Sequence, residues 1–197
     1  MEFEKLSSAP LFFLNLKGSL KWLKGRGRGD DLNTETNNIA ELADRIIETY
    51  SATVIFVATD FLESVDDRKL HREAHAKMRN PTNAYVLEGE YTDIELKGFL
   101  GLPDVALGSR YHFNVFAAAN KTPFLGFASG EYQRTKLQGL ASLCELPACY
   151  FDEDLEYSGI EPLWNMAKNV IKHKRDINKQ LIKKVPKLEE ASQYVVN

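Results

Sequence analysis

The chain reads Val105-Ala106-Leu107-Gly108-Ser109-Arg110-Tyr111-His112-Phe113 where a short apolar run gives way to a second apolar segment that continues to Ala119. A four-residue apolar run followed by a longer one is typical of a buried strand that leads into a helix. The junction carries a guanidinium, which binds carboxylate or phosphate, and an imidazole, which exchanges a proton near neutral pH. Anion-handling chemistry is therefore the first hypothesis.

Short apolar runs alternate with amphipathic segments along the rest of the chain, which is typical of a parallel sheet covered by helices. Strands are expected at 11–16, 53–59, 84–88, 105–108, 123–127 and 148–151, and helices at 35–50, 66–79, 91–100, 111–120 and 132–144. A long charged helix is expected from Ile160 to about Lys184, with Pro186 ending it.

We therefore expect an α/β fold: a single Rossmann-like, doubly wound domain with a mainly parallel sheet of about six strands and a long C-terminal helix. The domain is expected to span residues 1–197, with 1–9 as a flexible start and 186–197 as a polar tail. No repeat or Pro-rich linker divides the chain in two.

The composition excludes several classes of protein. The 197 residues are 44% hydrophobic and 27% charged, and the formal net charge of −3 argues against a surface built for nucleic acid. Apolar runs are far shorter than the ~20 residues of a spanning helix. Cys144 and Cys149 are expected to be reduced core thiols, and no metal site is expected. A cytoplasmic location is expected, with the inner membrane surface as the alternative position.

The predicted sheet places two basic segments side by side. In the strand order 3-2-1-4-5-6, the loops after strands 1 and 4 flank the crevice where ligands bind. The first loop carries Lys17, Arg26 and Arg28, and the second is 109–112. Glycines around Arg26 and Arg28 allow backbone amides to approach an anion. The same segment can equally be a solvent-exposed loop with no binding role.

Other candidates have simpler structural explanations. His71 and His75 are four residues apart on a predicted helix, but the charges around them favour a solvated face over a metal site. His173 lies in a basic run and has the same interpretation. Arg110 can also pair with a structural carboxylate such as Asp104, and the sequence alone leaves that alternative open.

The segment 105–119, followed by Thr122-Pro123-Phe124-Leu125-Gly126-Phe127, resembles the polysaccharide pyruvyl transferase family. That family has a hydrophobic strand, an Arg-x-His turn, an alanine-rich helix and a Gly-x-Pro turn into the next strand. Residues 136–140 and 146–147 resemble its lysine-containing loop and its glycine-leucine helix. The likeness is specific over about 104–147 and architectural elsewhere. The chain resembles the C-terminal, donor-binding half of a two-domain, GT-B-like enzyme.

The resemblance implies transfer of a pyruvyl group from phosphoenolpyruvate, a substrate and not a cofactor, to a sugar of a cell-surface polysaccharide. Arg110 would bind the donor anion, and His112 would be the general acid. The other substrate-binding residues would be Lys17, Arg26, Arg28, Ser109, Tyr111, Ser129, Glu131 and Lys136. The acceptor would be a free or lipid-linked saccharide, and no metal or other cofactor is implied.

Two further hypotheses remain open. The chain can be a non-catalytic module that binds an anionic sugar or a nucleotide-sugar and needs a partner, either a missing N-terminal half or a second copy. It can also be a GT-B glycosyltransferase with a nucleotide-sugar donor, because fold does not determine chemistry. Glu131 is then the candidate that binds the donor ribose.

Overall fold

A parallel β-sheet forms the centre of the computed structural model, which describes residues 9–16, 32–63, 66–128, 131–152 and 160–193. The strands are β1 (Leu11–Asn15), β2 (Thr53–Val57), β3 (Ala84–Leu87), β4 (Val105–Gly108), β5 (Phe124–Ala128) and β6 (Tyr150–Asp152). The helices are α1 (Leu32–Tyr50), α2 (Asp67–Lys77), α3 (Asp93–Phe99), α4 (Tyr111–Ala119), α5 (Glu131–Leu143), α6 (Ile160–Lys172) and α7 (Lys174–Gln193).

The order of the strands confirms the predicted doubly wound fold. Across the described residues the sheet has six strands in the order β3-β2-β1-β4-β5-β6, and every neighbouring pair is parallel. From β1, strands β2 and β3 lie successively toward one edge of the sheet, whereas β4, β5 and β6 lie successively toward the other. The carboxyl ends of β1 and β4 therefore border the point where the order reverses, which is where such sheets bind ligands.

The helices cover both faces of the sheet. Helix α1 contacts α2 and α6, while α4 contacts α3, α5 and α7, and the two groups meet where α6 contacts α7. Strands β2, β4 and β5 are buried at every position, as expected for strands with helices on both sides. This burial on both faces explains why the apolar residues of these strands form continuous runs and do not alternate with polar residues.

The C-terminal segment differs from the prediction. The helix that was expected to run unbroken from Ile160 to about Lys184 is divided at His173, and α7 then continues through Pro186 to Gln193. Proline removes one backbone donor, but Ile177, Leu181 and Val185 form a buried stripe at four-residue spacing that keeps this helix against the domain. The prediction that Pro186 ends the helix was wrong.

The two cysteines and the apolar character of the helices can also be compared with the sequence predictions. Cys144 and Cys149 are buried thiols without a disulfide, as expected, and burial raises the pKa of the Cys144 thiol to about 11. Within the described ranges, no helix has both the length and the apolar character that crossing a bilayer requires. The predicted flexible start, apart from Ala9, lies outside the described residues.

The last residue of β4 provides a test of this packing. A Cβ atom on Gly108 would lie 2.7 Å from Cε1 of the fully buried Phe113, so Gly108→Ala forces the first turn of α4 away from the sheet. We expect a loss of about 1–3 kcal/mol in the free energy of unfolding, measured by urea denaturation.

Gly139→Ala is the matched control, because a Cβ atom there meets nothing within 4 Å and the position is inside α5. It should stabilise the protein by roughly 0.5–1 kcal/mol. Equal effects of the two substitutions would contradict the close approach at Gly108.

Candidate active site

Asn15 joins the two strands that border the switch point. It lies opposite Gly108 in the sheet and is fully buried. Its side-chain amide donates to the Val57 carbonyl at 2.8 Å, and its Oδ1 accepts the Arg110 backbone N–H at 3.2 Å. Its own carbonyl accepts the Ser109 N–H at 3.1 Å. Asn15 was not among the predicted site residues, although a polar residue at the end of an otherwise apolar strand is a signal that could have identified it.

The Arg110 guanidinium binds a buried carboxylate. Its Nε lies 3.2 Å from both oxygens of Asp67, and its Nη2 lies 2.7 Å from Asp67 Oδ1. Asp67 is in the first turn of α2 and has no exposed surface. This is the side-on, bidentate geometry in which arginine binds carboxylates most strongly.

A second carboxylate occupies the remaining edge of the guanidinium. Arg110 Nη1 lies 3.1 Å from Oδ2 of Asp60, in the loop after β2, and the Asp60 side chain is 26% exposed. Asp67 is further fixed by the Thr59 N–H, which donates to its Oδ2 at 3.3 Å. The two carboxylates therefore differ: one is enclosed and the other is in contact with solvent.

The suggestion that Asp104 is a structural partner of Arg110 was wrong. Asp104 precedes β4, at the opposite edge of the sheet, where it accepts the Leu11 N–H and pairs with Lys174. The general alternative, that Arg110 pairs with a carboxylate of the protein, is correct for Asp67 and Asp60. Neither was identified from the sequence, because acidic residues after an apolar strand are also common in solvated loops.

His112 is exposed in the first turn of α4, two residues after Arg110. Its ring is edge-on to Tyr111, with the centroids 5.6 Å apart, and lies 6.3 Å from the Phe116 ring. An exposed imidazole beside a helix N-terminus can transfer a proton to a bound molecule. The position of His112 is therefore compatible with acid catalysis.

Tyr111 connects His112 to the next helix. The ammonium group of Lys136, in α5, lies 5.3 Å from the centre of the Tyr111 ring and 4.4 Å from that of Tyr132. Such distances give cation–π attraction. Glu131 is exposed in the first turn of the same helix. The first two turns of α4 and α5 thus place an imidazole, a cation and two aromatic rings at one edge of the sheet.

The remaining predicted substrate-binding residues divide into two groups. Ser109 is fully buried below the turn and contacts the end of β1 through its backbone. Lys17, Arg26, Arg28 and Ser129 lie outside the described residues. The predicted meeting of the loops after β1 and β4 is therefore described only through Asn15, Leu16 and the turn that contains Arg110.

The prediction for His71 was wrong. Instead of facing solvent, its ring is fully buried beside Phe56, and its Nε2 accepts the Leu16 N–H at 3.1 Å. The charged residues around it in sequence occupy the other faces of α2. His75 is partly buried with its Nε2 3.0 Å from the Ala84 carbonyl oxygen, while His173 is exposed as expected.

A cavity of about 400 Å³ lies at the opposite edge of the sheet. It is lined by Asp104, Lys121, Thr122, Lys174 and Asn178, among others. Several of its polar side chains are bonded within the protein: Lys174 pairs with Asp104, Thr122 donates to the Leu100 carbonyl and Asn178 to the Lys121 carbonyl. The cavity is therefore a poorer candidate than the carboxyl edge.

Fold and site together define an α/β protein built like one half of a GT-B enzyme. A solved structure of a mutant O-GlcNAc transferase from Thermobaculum terrenum is similar, with a TM-score of 0.60 at 13% identity. The match covers 91% of this chain and 32% of that chain, so the protein spans about a third of its neighbour's length. At this identity the likeness shows the fold alone.

The family model described as polysaccharide pyruvyl transferase matches residues 6–131, which is more than half of the sequence. The chain belongs to this family. The match includes β1 to β5 and the turn with Arg110 and His112, and it ends before Lys136. No curated protein matches the chain.

The buried His71 predicts how stability depends on pH. Burial is the main cause that lowers its pKa from 6.5 to about 3, and the nearby Arg110 and Arg72 charges lower it further. The unfolded chain therefore binds the proton first, and stability is lost as the pH falls from about 6.5 toward 3. This group should lower the free energy of unfolding by about 2 kcal/mol as the pH falls from about 6.5 to 5.

Urea denaturation at several pH values, compared with His71→Gln, isolates this contribution from those of the carboxylates. The difference in unfolding free energy between the two proteins should shrink as the pH falls. A difference that stays constant from pH 7 to 5 would contradict a buried, neutral His71.

Proposed function

We propose that this chain provides the donor-binding part of an enzyme that transfers a pyruvyl group from phosphoenolpyruvate to a sugar of a cell-surface polysaccharide. The observation that carries the proposal is His112, an exposed imidazole two residues after a carboxylate-bound arginine, in a chain of the pyruvyl transferase family. Phosphoenolpyruvate carries two anionic groups, a carboxylate and a phosphate, which suit a site with cationic side chains.

The proposed reaction requires a proton at one carbon of the donor and an oxygen at the next. His112 gives its proton to the methylene carbon while a sugar hydroxyl attacks the carbon that carries the phosphate. A second hydroxyl of the same sugar then displaces the phosphate and closes a ketal. The proton of the first hydroxyl replaces the one that His112 gave, and the proton of the second leaves with the phosphate. The first turn of α4 places the imidazole at the surface, where both substrates have access.

Arg110 binds the donor anion through its Nη1 in this proposal. Asp67 keeps the guanidinium in place from the buried side, and the donor carboxylate replaces Asp60, which is partly exposed and contacts the guanidinium at Nη1. Such an exchange of one carboxylate for another leaves the arginine paired throughout, so no buried charge is left alone. Lys136 adds a second positive charge at the edge of α5 for the phosphate.

The acceptor saccharide, free or lipid-linked, is proposed to meet this site from a separate half of the enzyme or from a second copy of the chain. The partial coverage of the solved neighbour supports that arrangement. A cytoplasmic position, where phosphoenolpyruvate is available, is part of the same proposal.

A glycosyltransferase with a nucleotide-sugar donor is the second candidate. It is favoured by the similarity to a solved glycosyltransferase and by Glu131, whose exposed carboxylate in the first turn of α5 could bind a ribose. Displacement of phosphoenolpyruvate by uridine diphosphate in a binding competition would favour this candidate. Failure of the nucleotide to compete would favour the pyruvyl donor.

Replacement of His112 tests the proposed acid. With phosphoenolpyruvate and simple glycosides that bear neighbouring hydroxyl pairs, His112→Gln should reduce phosphate release by about 10²–10⁴-fold, because the proton donor is lost. Donor affinity, measured by calorimetry, should change less than about threefold, since Arg110 and Lys136 bind the donor anion in this proposal and glutamine is similar in size to histidine.

His173→Gln is the matched control, because this histidine is also exposed but lies at the break between α6 and α7. It should retain full activity. Undiminished turnover in His112→Gln would rule out the acid role, while donor binding without turnover in the wild-type chain would favour the non-catalytic module.

A further inference from the structure

The imidazole of His71 is buried, although most residues next to it in the sequence of α2 are charged. The ring is completely buried, yet it is polar, and its Nε2 accepts the backbone N–H of Leu16. Because Nε2 is the acceptor, the ring proton is on Nδ1. A leucine or phenylalanine would fill the same space beside Phe56, so packing alone does not require an imidazole here.

The same face of α2 carries Asp67, one turn before His71. Residues four apart lie above one another on a helix, so both side chains point toward the carboxyl edge of the sheet. Asp67 binds Arg110, after β4, while His71 binds Leu16, after β1. One helix face therefore contacts both chain segments that leave the switch point.

A continuous set of hydrogen bonds connects His71 to the proposed donor site. Leu16 directly follows Asn15, whose carbonyl and side-chain oxygens accept the N–H groups of Ser109 and Arg110. Arg110 is the N-cap of α4, the helix whose first turn carries His112. A shift of Leu16 would thus move Asn15 and, with it, the start of this helix.

We propose that His71 is a positioning residue for the donor site: by accepting the Leu16 N–H it fixes the end of β1 and so the place of Arg110. The effect on the donor depends on the proposed function, whereas the effect on the Arg110 backbone does not. A merely structural role would lower stability without changing either.

The test compares His71→Leu, which removes the acceptor, with His71→Gln, whose Oε1 can take the place of Nε2. In amide NMR spectra of the whole chain, recorded well below each variant's melting temperature, His71→Leu should speed hydrogen exchange at Leu16 by about tenfold or more and shift the Arg110 amide signal. The dissociation constant for phosphoenolpyruvate should rise roughly five- to tenfold. In His71→Gln, most of the wild-type amide protection, amide signal and donor affinity should be retained.

His75→Leu is the matched control. It removes a histidine contact of similar length from the same helix, on the side of β3 and away from the switch point. It should lower the melting temperature while leaving the Leu16 and Arg110 amides and the donor affinity as in the wild type.

The outcomes separate this inference from the proposed function. Unchanged donor affinity and an unchanged Arg110 amide in a folded His71→Leu would overturn the positioning role, even if Leu16 exchanged faster. If wild-type protein fails to bind phosphoenolpyruvate, the proposed function is contradicted, and the Arg110 amide signal alone then decides whether His71 positions this turn.

Discussion

The ion pair between Arg110 and Asp67 is the interaction on which the rest of the site depends. The carboxylate has no exposed surface and the arginine side chain is only 16% exposed, so neither charge can be left without the other at an acceptable cost. The pair also crosses the sheet, because Asp67 follows β2 and Arg110 follows β4. Strand β1 lies between them, and its Asn15 is bonded to both neighbouring strands. The end of three strands is therefore fixed by side chains and not by apolar packing alone.

This arrangement suits a site that binds anions. The guanidinium is oriented by an enclosed carboxylate on one side and faces an exposed one, Asp60, on the other. In the proposed function the exposed partner gives way to the donor, and the enclosed partner stays. His112 and Lys136 are not part of the ion-pair network in the described residues, which leaves the proposed acid and the second cation at the surface.

Much of the fold could be predicted because strands buried on both faces produce apolar runs that need no tertiary information. The alternation of apolar runs and helices indicated a parallel sheet, whereas the order of its strands was assumed to be the commonest one for doubly wound folds. The turn after β4 was placed correctly. Burial of single polar side chains could not be predicted in this way. His71 lies in a charged segment, and only the position of α2 on the sheet buries its ring. Asp67 and Asp60 were missed because acidic residues after an apolar strand are also common in solvated loops. Helix α7 continues past Pro186 because its apolar stripe is long enough to hold it.

The two carboxylates have unequal roles at Arg110, and calorimetric titration with phosphoenolpyruvate distinguishes them. We expect Asp60→Asn to bind the donor about three- to tenfold more tightly, because a competing charge is removed. Asp67→Asn should bind it more weakly, because the guanidinium loses its fixed partner. The melting temperature of each variant checks that it is folded. Weaker binding by Asp60→Asn, or unchanged binding by Asp67→Asn, would contradict the account.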